Sequence, residues 1–585
     1  MSPGDPGLEE VSITAMDDRE PGASAFVLMV WVACGVCVLG LAGYSAAETP
    51  RLDDWANVSV LTGDRPLTVG WLWSQHNEHR IPLPRLIIVG LSKLTGGSFR
   101  APSILNAGLL AVASGALVLA SRVRRGWTSY SDAFLPLLLS GPSHGRNILV
   151  GFQIQLVSST VLYAFVLSII VRRPEGLRTL SSALMAGIVI LLPLCGANGV
   201  AFVPALALAM VIQAIADRKR SLGRSVILLL GAVASLSLVY AYFRGWKAAG
   251  HGDAPASIVE KVRVTLQFLA GGWGVSAAET WPWSGGLVAG LLIGGVVALV
   301  IAWRREPEGR MRTTWLVAAT GAIGSLALGI GSGRAGMGDR IGFEPRYVTL
   351  AAPAMVMVYL AWLNAGRSMG RFSQMTLFTL ACLATWPDAE AMIEAAREQR
   401  SASSELAADI ARGLPPSRLI ARHIGFLHTS HDELGTGMAL LKRARLGMYA
   451  NLADEPPMEE VKLPVEPTSM VGMEGRAGHY RATTVDPYLN YNLSEPRFVA
   501  GVEIRYRHAN SQGLPGRFVF LWKREGDTYQ DPPQRQSIWT LPTGKDRTVT
   551  IWLYEKISRV MIQPDNKPCE FDVDELILLV PAGAR

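Results

Sequence analysis

Charged side chains are scarce in this chain. Only 18% of its 585 residues are Asp, Glu, Lys or Arg, where a soluble chain of this size carries about a quarter. The apolar excess forms separate blocks rather than alternating strands. That excludes an ordinary soluble globule and leaves a polytopic α-helical membrane protein. Cysteine is equally sparse: Cys34, Cys37, Cys195, Cys382 and Cys569 are the whole complement. Four lie in apolar segments, so no disulfide framework is present. The Cys34/Cys37 spacing looks like a redox or zinc pair, yet it sits in a membrane-length apolar run with no other ligand nearby. The N-terminus lacks the basic stretch of a cleaved signal, since Asp5, Glu9, Glu10, Asp17, Asp18 and Glu20 surround a lone Arg19. Residues 1–23 read as an acidic cytoplasmic tail. No ATP, flavin or nicotinamide site is visible, and no cofactor is expected. The net charge of +7 is not gathered on one soluble face, so nucleic acid is not an expected partner.

What the chain does have is apolar length. Blocks near 24–46, 102–121, 131–143, 152–171, 179–195, 197–216, 225–243, 285–303, 313–332, 348–365 and 373–387 predict about eleven transmembrane helices. The 131–143 block is short and ends in Gly141-Pro142, which predicts a tilted or broken segment. Every second loop is short and basic: Arg122–Arg125, Arg172-Arg173, Arg218–Arg220, Arg304-Arg305 with Arg310 and Arg312, then Arg367 and Arg371. The positive-inside rule places these in the cytoplasm, with the N-terminus inside and everything after about 388 outside. Ile81 to Leu94 is apolar but too short to span and holds Pro82, Pro84 and Arg85. It reads as an interfacial helix.

The other loops carry the chemistry. Asp53 and Asp54 follow the first span, and a carboxylate there can act as general base on an acceptor hydroxyl. The alternative is an ordinary acidic loop capping a helix. Gln75-His-Asn-Glu-His-Arg80 supplies His76, Glu78, His79 and Arg80 for phosphate and hydroxyl contacts, or else a structural polar knot. A zinc site would need a third ligand at useful spacing, so no metal is expected. The Gly-rich loop from Gly333 to Tyr347 offers Arg334, Arg340 and Arg346 as bidentate phosphate donors with Tyr347 beside them. Its alternative is a loop that locks helix ends. His144, Arg146, Gly151-Phe-Gln153 and Trp281-Pro-Trp283 join the same outer surface and are weak alone.

Residues 388–467 form an extracytoplasmic helical segment and a Pro-rich linker. From 468 to 585 the apolar period becomes two, in short runs such as 499–506, 517–522 and 548–553, which predicts a β-sandwich. Trp522, Tyr529, Trp539 and Trp552 are candidate glycan-stacking aromatics, or alternatively core residues.

The layout as a whole, an Asp pair in the first outer loop (47–101), an interfacial helix after it, many spans and a C-terminal outer domain, resembles the GT-C superfamily of integral membrane glycosyltransferases. The cluster Gln75–Ile81 with Pro84-Arg-Leu86, and the Gly-Arg to Arg-Tyr segment at 333–347, resemble a pattern in bacterial membrane proteins of this type. The resemblance spans residues 24 to about 390. It implies a GT-C-like transmembrane domain at 24–387 and a polyprenyl-phosphate-linked sugar as donor. It further implies an envelope glycan or lipid as acceptor, and either Asp53 or Asp54 as base. Inversion at the anomeric carbon without a metal is likewise what the resemblance implies. The expected setting is the bacterial inner membrane, with the tail periplasmic. Two other functions compete: a glycolipid transporter or flippase, and a non-catalytic envelope protein that binds glycan. The transporter would call for ionisable groups within the spans, which are nearly free of them.

Overall fold

The computed structural model describes residues 20–172, 177–247, 256–484, 486–510, 516–528, 533–540, 544–565 and 568–583. The acidic run up to residue 19, Arg173 and Tyr529 lie outside them.

Eight helices are long and apolar enough to cross a membrane: Ala23–Ser45, Ala101–Arg125, Gly151–Arg172, Ala197–Asp217, Leu222–Phe243, Trp283–Arg305, Pro307–Arg334 and Pro345–Ala365. The protein is a multi-pass membrane protein. Gly151–Arg172 and Pro345–Ala365 lie at the centre of the bundle, 83% and 89% buried, whereas Ala23–Ser45 and Leu222–Phe243 lie at its periphery. Their composition follows their place: the central helices carry Tyr163 and Tyr359 fully buried, while the peripheral ones turn bare Leu, Val and Met outward.

Three further expected blocks take other forms. Residues 179–195 form a 13-residue helix, Thr179–Leu191, closed by a 3-10 turn at Leu192–Cys195. Residues 373–387 belong to a 45-residue helix, Arg367–Ala411, which carries on past the apolar stretch into charged sequence. The 131–143 block is broken into Tyr130–Ala133, Phe134–Leu139, Pro142–His144 and Gly145–Ile148. It still runs from one end of the bundle to the other. Tyr130 meets Glu20 and Pro21 at one end, and Asn147 donates to Pro345 at the opposite end. A broken backbone is tolerated at membrane depth because this segment is enclosed by protein. The Ile81–Leu94 block is a 13-residue helix, Pro82–Leu94, too short to cross.

The helix ends sort into two layers. One end of the bundle gathers Arg125, Arg172, Asp217, Arg305, Ala365 and the start of the Arg367 helix. The other gathers Ala101, Gly151, Ala197, Arg334 and Tyr347, together with the first loop and the hairpin at 75–80. Beyond this second end, the helices Pro416–Leu427 and His431–Arg443 share a core with the first loop. Trp55 and Val58 pack there with Leu406, Leu419, Leu434, Met438 and Tyr449.

The C-terminal region is one nine-stranded antiparallel sheet. Two long strands, Tyr488–Asn510 and Asp546–Gln563, pair over most of their length and shift register between Trp552 and Glu555 and again between Ile557 and Arg559. Their early and late halves pair with different neighbours, so the sheet folds into two layers over a common core that includes Ile504, Tyr506, Phe518, Phe520, Val560 and Phe571. Trp522 packs at this core and donates to Glu555 at 2.9 Å, and Trp552 packs against the helical core instead. Both are used in packing.

Candidate active site

The first loop separates the two acids that the sequence left equivalent. Leu52–Asn57 is a short 3-10 turn entered through Leu52, which adopts the left-handed region at φ 50. A branched residue rarely sits there, and such outliers concentrate at functional sites. Asp54 points inward. Its carboxylate accepts from the Arg51 backbone N–H at 3.2 Å and lies within 3.5 Å of where a Gly151 Cβ would stand. Burial pushes it up to about 7 despite the backbone N–H groups of Arg51 and Phe152. Asp54 therefore ties the loop to the start of the Gly151–Arg172 helix.

Asp53 points the other way, is partly open, and lines a cavity of about 480 Å³. His76 Nε2 stands 3.1 Å from its Oδ1, and the His76 ring rests against Phe152 with centroids 5.2 Å apart. Burial opposes the charge on Asp53. The hydrogen bond from His76 and the positive fields of His76, His428 and Arg346 outweigh it and hold the carboxyl below its usual range. A carboxylate so held is ionised, and it faces the cavity where Asp54 does not.

The second motif is a hairpin. Gln75-His76 pairs with His79-Arg80, and Asn77 makes the turn at φ 49, a conformation that Asn tolerates. The turn sets His76 directly opposite His79. His79 Nδ1 accepts from the Ala197 backbone N–H at 3.3 Å, which leaves the proton on Nε2. Burial keeps His79 neutral, against the pull of Glu78. Glu78 bonds Arg334 at 2.8 Å. Arg80 departs from its expected place. Its guanidinium is buried and donates to the carbonyls of Tyr242, Trp73 and Arg244 at 3.0, 2.8 and 3.0 Å. It locks the hairpin to the end of the Leu222–Phe243 helix and lines neither the Asp53 cavity nor the one beside Glu78 and His79.

Glu78, His79, Arg334 and Tyr347 line a second cavity of about 340 Å³, with Gln155 and Asn198. Its wall continues in Leu156, Ala201, Leu326, Ile330 and Leu350, so a polar mouth opens onto an apolar shaft. Gln155 and Asn198 are buried, and each keeps a side-chain oxygen without a hydrogen-bond partner. Arg346 lines both cavities. Its best carboxylate contact is a loose 3.9 Å to Glu344, and 44% of its side chain is exposed. Arg340, in contrast, is exposed and donates to the Ala278 carbonyl, and it lines neither cavity. His144 is fully buried between Thr349 and the Leu138 carbonyl, a packing role rather than a surface one. Trp281 packs on Phe343.

Sequence reading missed Arg51, Gln399 and Phe426, which close the Asp53 cavity. Arg51 donates to Gln399 and to the Phe426 carbonyl and lies over the Phe426 ring at 4.4 Å. Gln399 and Phe426 lie some 350 residues from Arg51, and no local pattern marks them. Among the described residues no group of His, Cys, Asp and Glu is arranged to hold a metal.

No family model and no curated protein matches the chain. Solved structures do. ArnT from Cupriavidus metallidurans in the apo state shares 14% identity over 74% of this chain and 90% of that one, at a TM-score of 0.37. ArnT from the same organism bound to undecaprenyl phosphate gives 16%, 77% and 95%, again at 0.37. Arabinosyltransferase EmbB from Mycobacterium smegmatis gives 9%, with 98% of this chain and 66% of that one covered, at 0.23.

Proposed function

We propose that the chain is a membrane glycosyltransferase that moves a sugar from a polyprenyl-phosphate donor to an envelope glycan or lipid. The reaction takes place on the extracytoplasmic face of a bacterial inner membrane. The observation that carries this reading is Arg346. It joins an apolar-walled cavity with a cationic mouth to a polar cavity that holds an ionised Asp53. The apolar-walled cavity suits a lipid phosphate, whose chain follows Leu156, Leu326 and Ile330 while Arg334 and Arg346 hold the phosphate oxygens. The Asp53 cavity suits a hydroxyl-bearing acceptor. Both volumes fall within the range of small-molecule sites, about 300–1,000 Å³.

In this reading the acceptor hydroxyl attacks the anomeric carbon, its proton passes to Asp53, and the bond from that carbon to the phosphate oxygen breaks. The polyprenyl phosphate leaves with the electron pair, stabilised by Arg334 and Arg346. His76 orients Asp53. One direct displacement inverts the anomeric centre, and no step calls for a metal. Orphaned acceptors on Gln155 and Asn198 suit sugar hydroxyls, since a buried oxygen without a donor costs free energy until a ligand or water supplies one. The 468–585 domain stands beside the acceptor side.

The test compares envelope glycans and polyprenyl-phosphate sugars by mass spectrometry in a deletion strain complemented with wild type, Asp53→Asn or Asp54→Asn at equal protein level. Loss of one sugar residue, restored by wild type and not by Asp53→Asn, supports the transferase and names the substrate. Full restoration by Asp53→Asn overturns it.

A further inference from the structure

The largest of the described cavities, about 680 Å³, lies at the opposite end of the bundle from Asp53. Glu20, Glu306, Arg305 and Arg371 give it a polar lining, and Trp127 and Trp362 an apolar one. Each carboxylate here is already engaged. Glu20 accepts from Ser129, the Tyr130 backbone and Arg371. Asp132, behind the wall, takes Arg125 at 2.7 Å and the Tyr359 hydroxyl. Glu306 is shared by Arg124 at 2.9 Å and Arg312.

The cations are not so well matched. Arg124, Arg125, Arg305, Arg312 and Arg371 face only Glu20, Asp132 and Glu306, which leaves two positive charges uncompensated among the described residues. Two observations locate the deficit. Arg312 is 1% exposed, and its Nε and Nη1 find no acceptor. Arg305 makes no hydrogen bond or ion pair among the described residues, and its guanidinium lies over Gly366, where a Cβ would meet it at 3.4 Å. Arg305 is exposed at the cavity and meets no acceptor there, while Arg312 lies buried behind Glu306 with idle donors, so an anion at the mouth would meet Arg305 directly and Arg312 through its field. The positive-inside rule accounts for basic loops in general. It does not by itself gather Arg305 and Arg371 at the mouth of one cavity.

We propose that this cavity binds a phosphate-bearing anion, with the headgroup of an anionic lipid in the adjacent leaflet as its source. Arg305 and Arg371 hold the phosphate oxygens at the mouth, and Trp127 and Trp362 flank it at the level where aromatic side chains meet headgroups. The excess charge near Glu306 draws the anion inward. The site is separate from the one read as catalytic and stands whatever that site does.

The test uses the full-length protein, purified in mild detergent and reconstituted in nanodiscs. One set contains zwitterionic phosphatidylcholine alone, and the other adds phosphatidylglycerol. Native mass spectrometry reads retained lipid, and thermal unfolding reads stabilisation, with inorganic phosphate as a separate arm in detergent. Wild type is expected to retain phosphatidylglycerol over phosphatidylcholine. Arg305→Gln with Arg371→Gln should lower that retention roughly tenfold. Lys219→Gln with Arg220→Gln removes equal charge from another loop on the same face and should leave retention near wild type. Stabilisation by inorganic phosphate alone, without lipid preference, would replace the lipid with a soluble phosphate. Equal loss in both double variants, or no preference for phosphatidylglycerol, would reduce the cavity to general surface charge and overturn the site.

Discussion

The two ends of the helical bundle use the same side chains in opposite ways. At the Arg125 end, every carboxylate of the cavity wall is taken in a direct pair, Arg125 with Asp132, Arg124 with Glu306, Arg371 with Glu20, and what is left over is cationic, on Arg305 and Arg312. At the Asp53 end the pairing is deliberately incomplete. Arg346 hangs loosely from Glu344 between two cavities, and Asp53 has a histidine for a partner rather than a cation in contact. Paired charges at a membrane interface hold helix ends together. Charges held near one another without pairing retain free energy for a ligand, and at the Asp53 end it is the acid as well as the guanidinium that is left so. Identity of residue type does not distinguish the two ends; the partner of each charge does.

The sharpest way to break the comparison is Asp53→Asn. It removes the proton acceptor with hardly any change of shape, so transfer of sugar per folded molecule should fall by roughly 10²–10⁴, far more than the small loss of stability from giving up the charge that His76 and Arg346 favour. Retained activity at normal protein level would make Asp53 one more interfacial acid. Arg346→Ala comes next. Loss of one preorganised donor to a developing phosphate charge should lower kcat/KM by about 10²-fold, and Arg346→Lys should recover part of it, since a point charge replaces the fork. A fall in stability without loss of turnover per folded molecule would move Arg346 to the structural side.

Arg80→Ala should do the reverse. Three carbonyls lose their donor in a buried setting, which costs on the order of 3 kcal/mol of stability. The measure is the unfolding midpoint of the purified protein, alongside turnover per folded molecule. If Arg80→Ala keeps its midpoint and raises KM for the donor, Arg80 belongs to the phosphate site after all.

The architecture was legible because apolar length and basic loops are local signals. Even the faulty 131–143 segment announced itself through Gly141-Pro142. The hairpin was half legible: His76-Asn-Glu-His79 carries the turn residue, and alternation in a two-residue hairpin puts both imidazoles opposite each other. What the sequence could not separate was Asp53 from Asp54, because one left-handed residue, Leu52, decides which faces the cavity. Nor could it foresee that Arg80 would spend its donors on Tyr242 and Arg244, more than 160 residues away. The β-region showed its period but not its single continuous sheet, since strand length hides at bulges such as that between Trp552 and Glu555.

Asp54→Asn should have the smallest effect and sharpens the comparison within the first loop. Burial raises the pKa of Asp54 from its ordinary 3.8 to about 7. Between those two values the unfolded chain has released the proton while the folded chain still holds it. The folded state therefore binds more protons across this window, and stability falls as pH rises from about 4 to about 7. Below 4 both states are protonated and the term vanishes. Asparagine stays neutral throughout and keeps an oxygen for the Arg51 N–H, so Asp54→Asn should flatten the dependence of the unfolding midpoint on pH in that window. Activity should stay within about tenfold of wild type, because the variant preserves the neutral form that burial favours. An unchanged pH profile would mean that Asp54 is ionised in the folded protein. The two neighbouring acids would then differ in direction only, and not in charge.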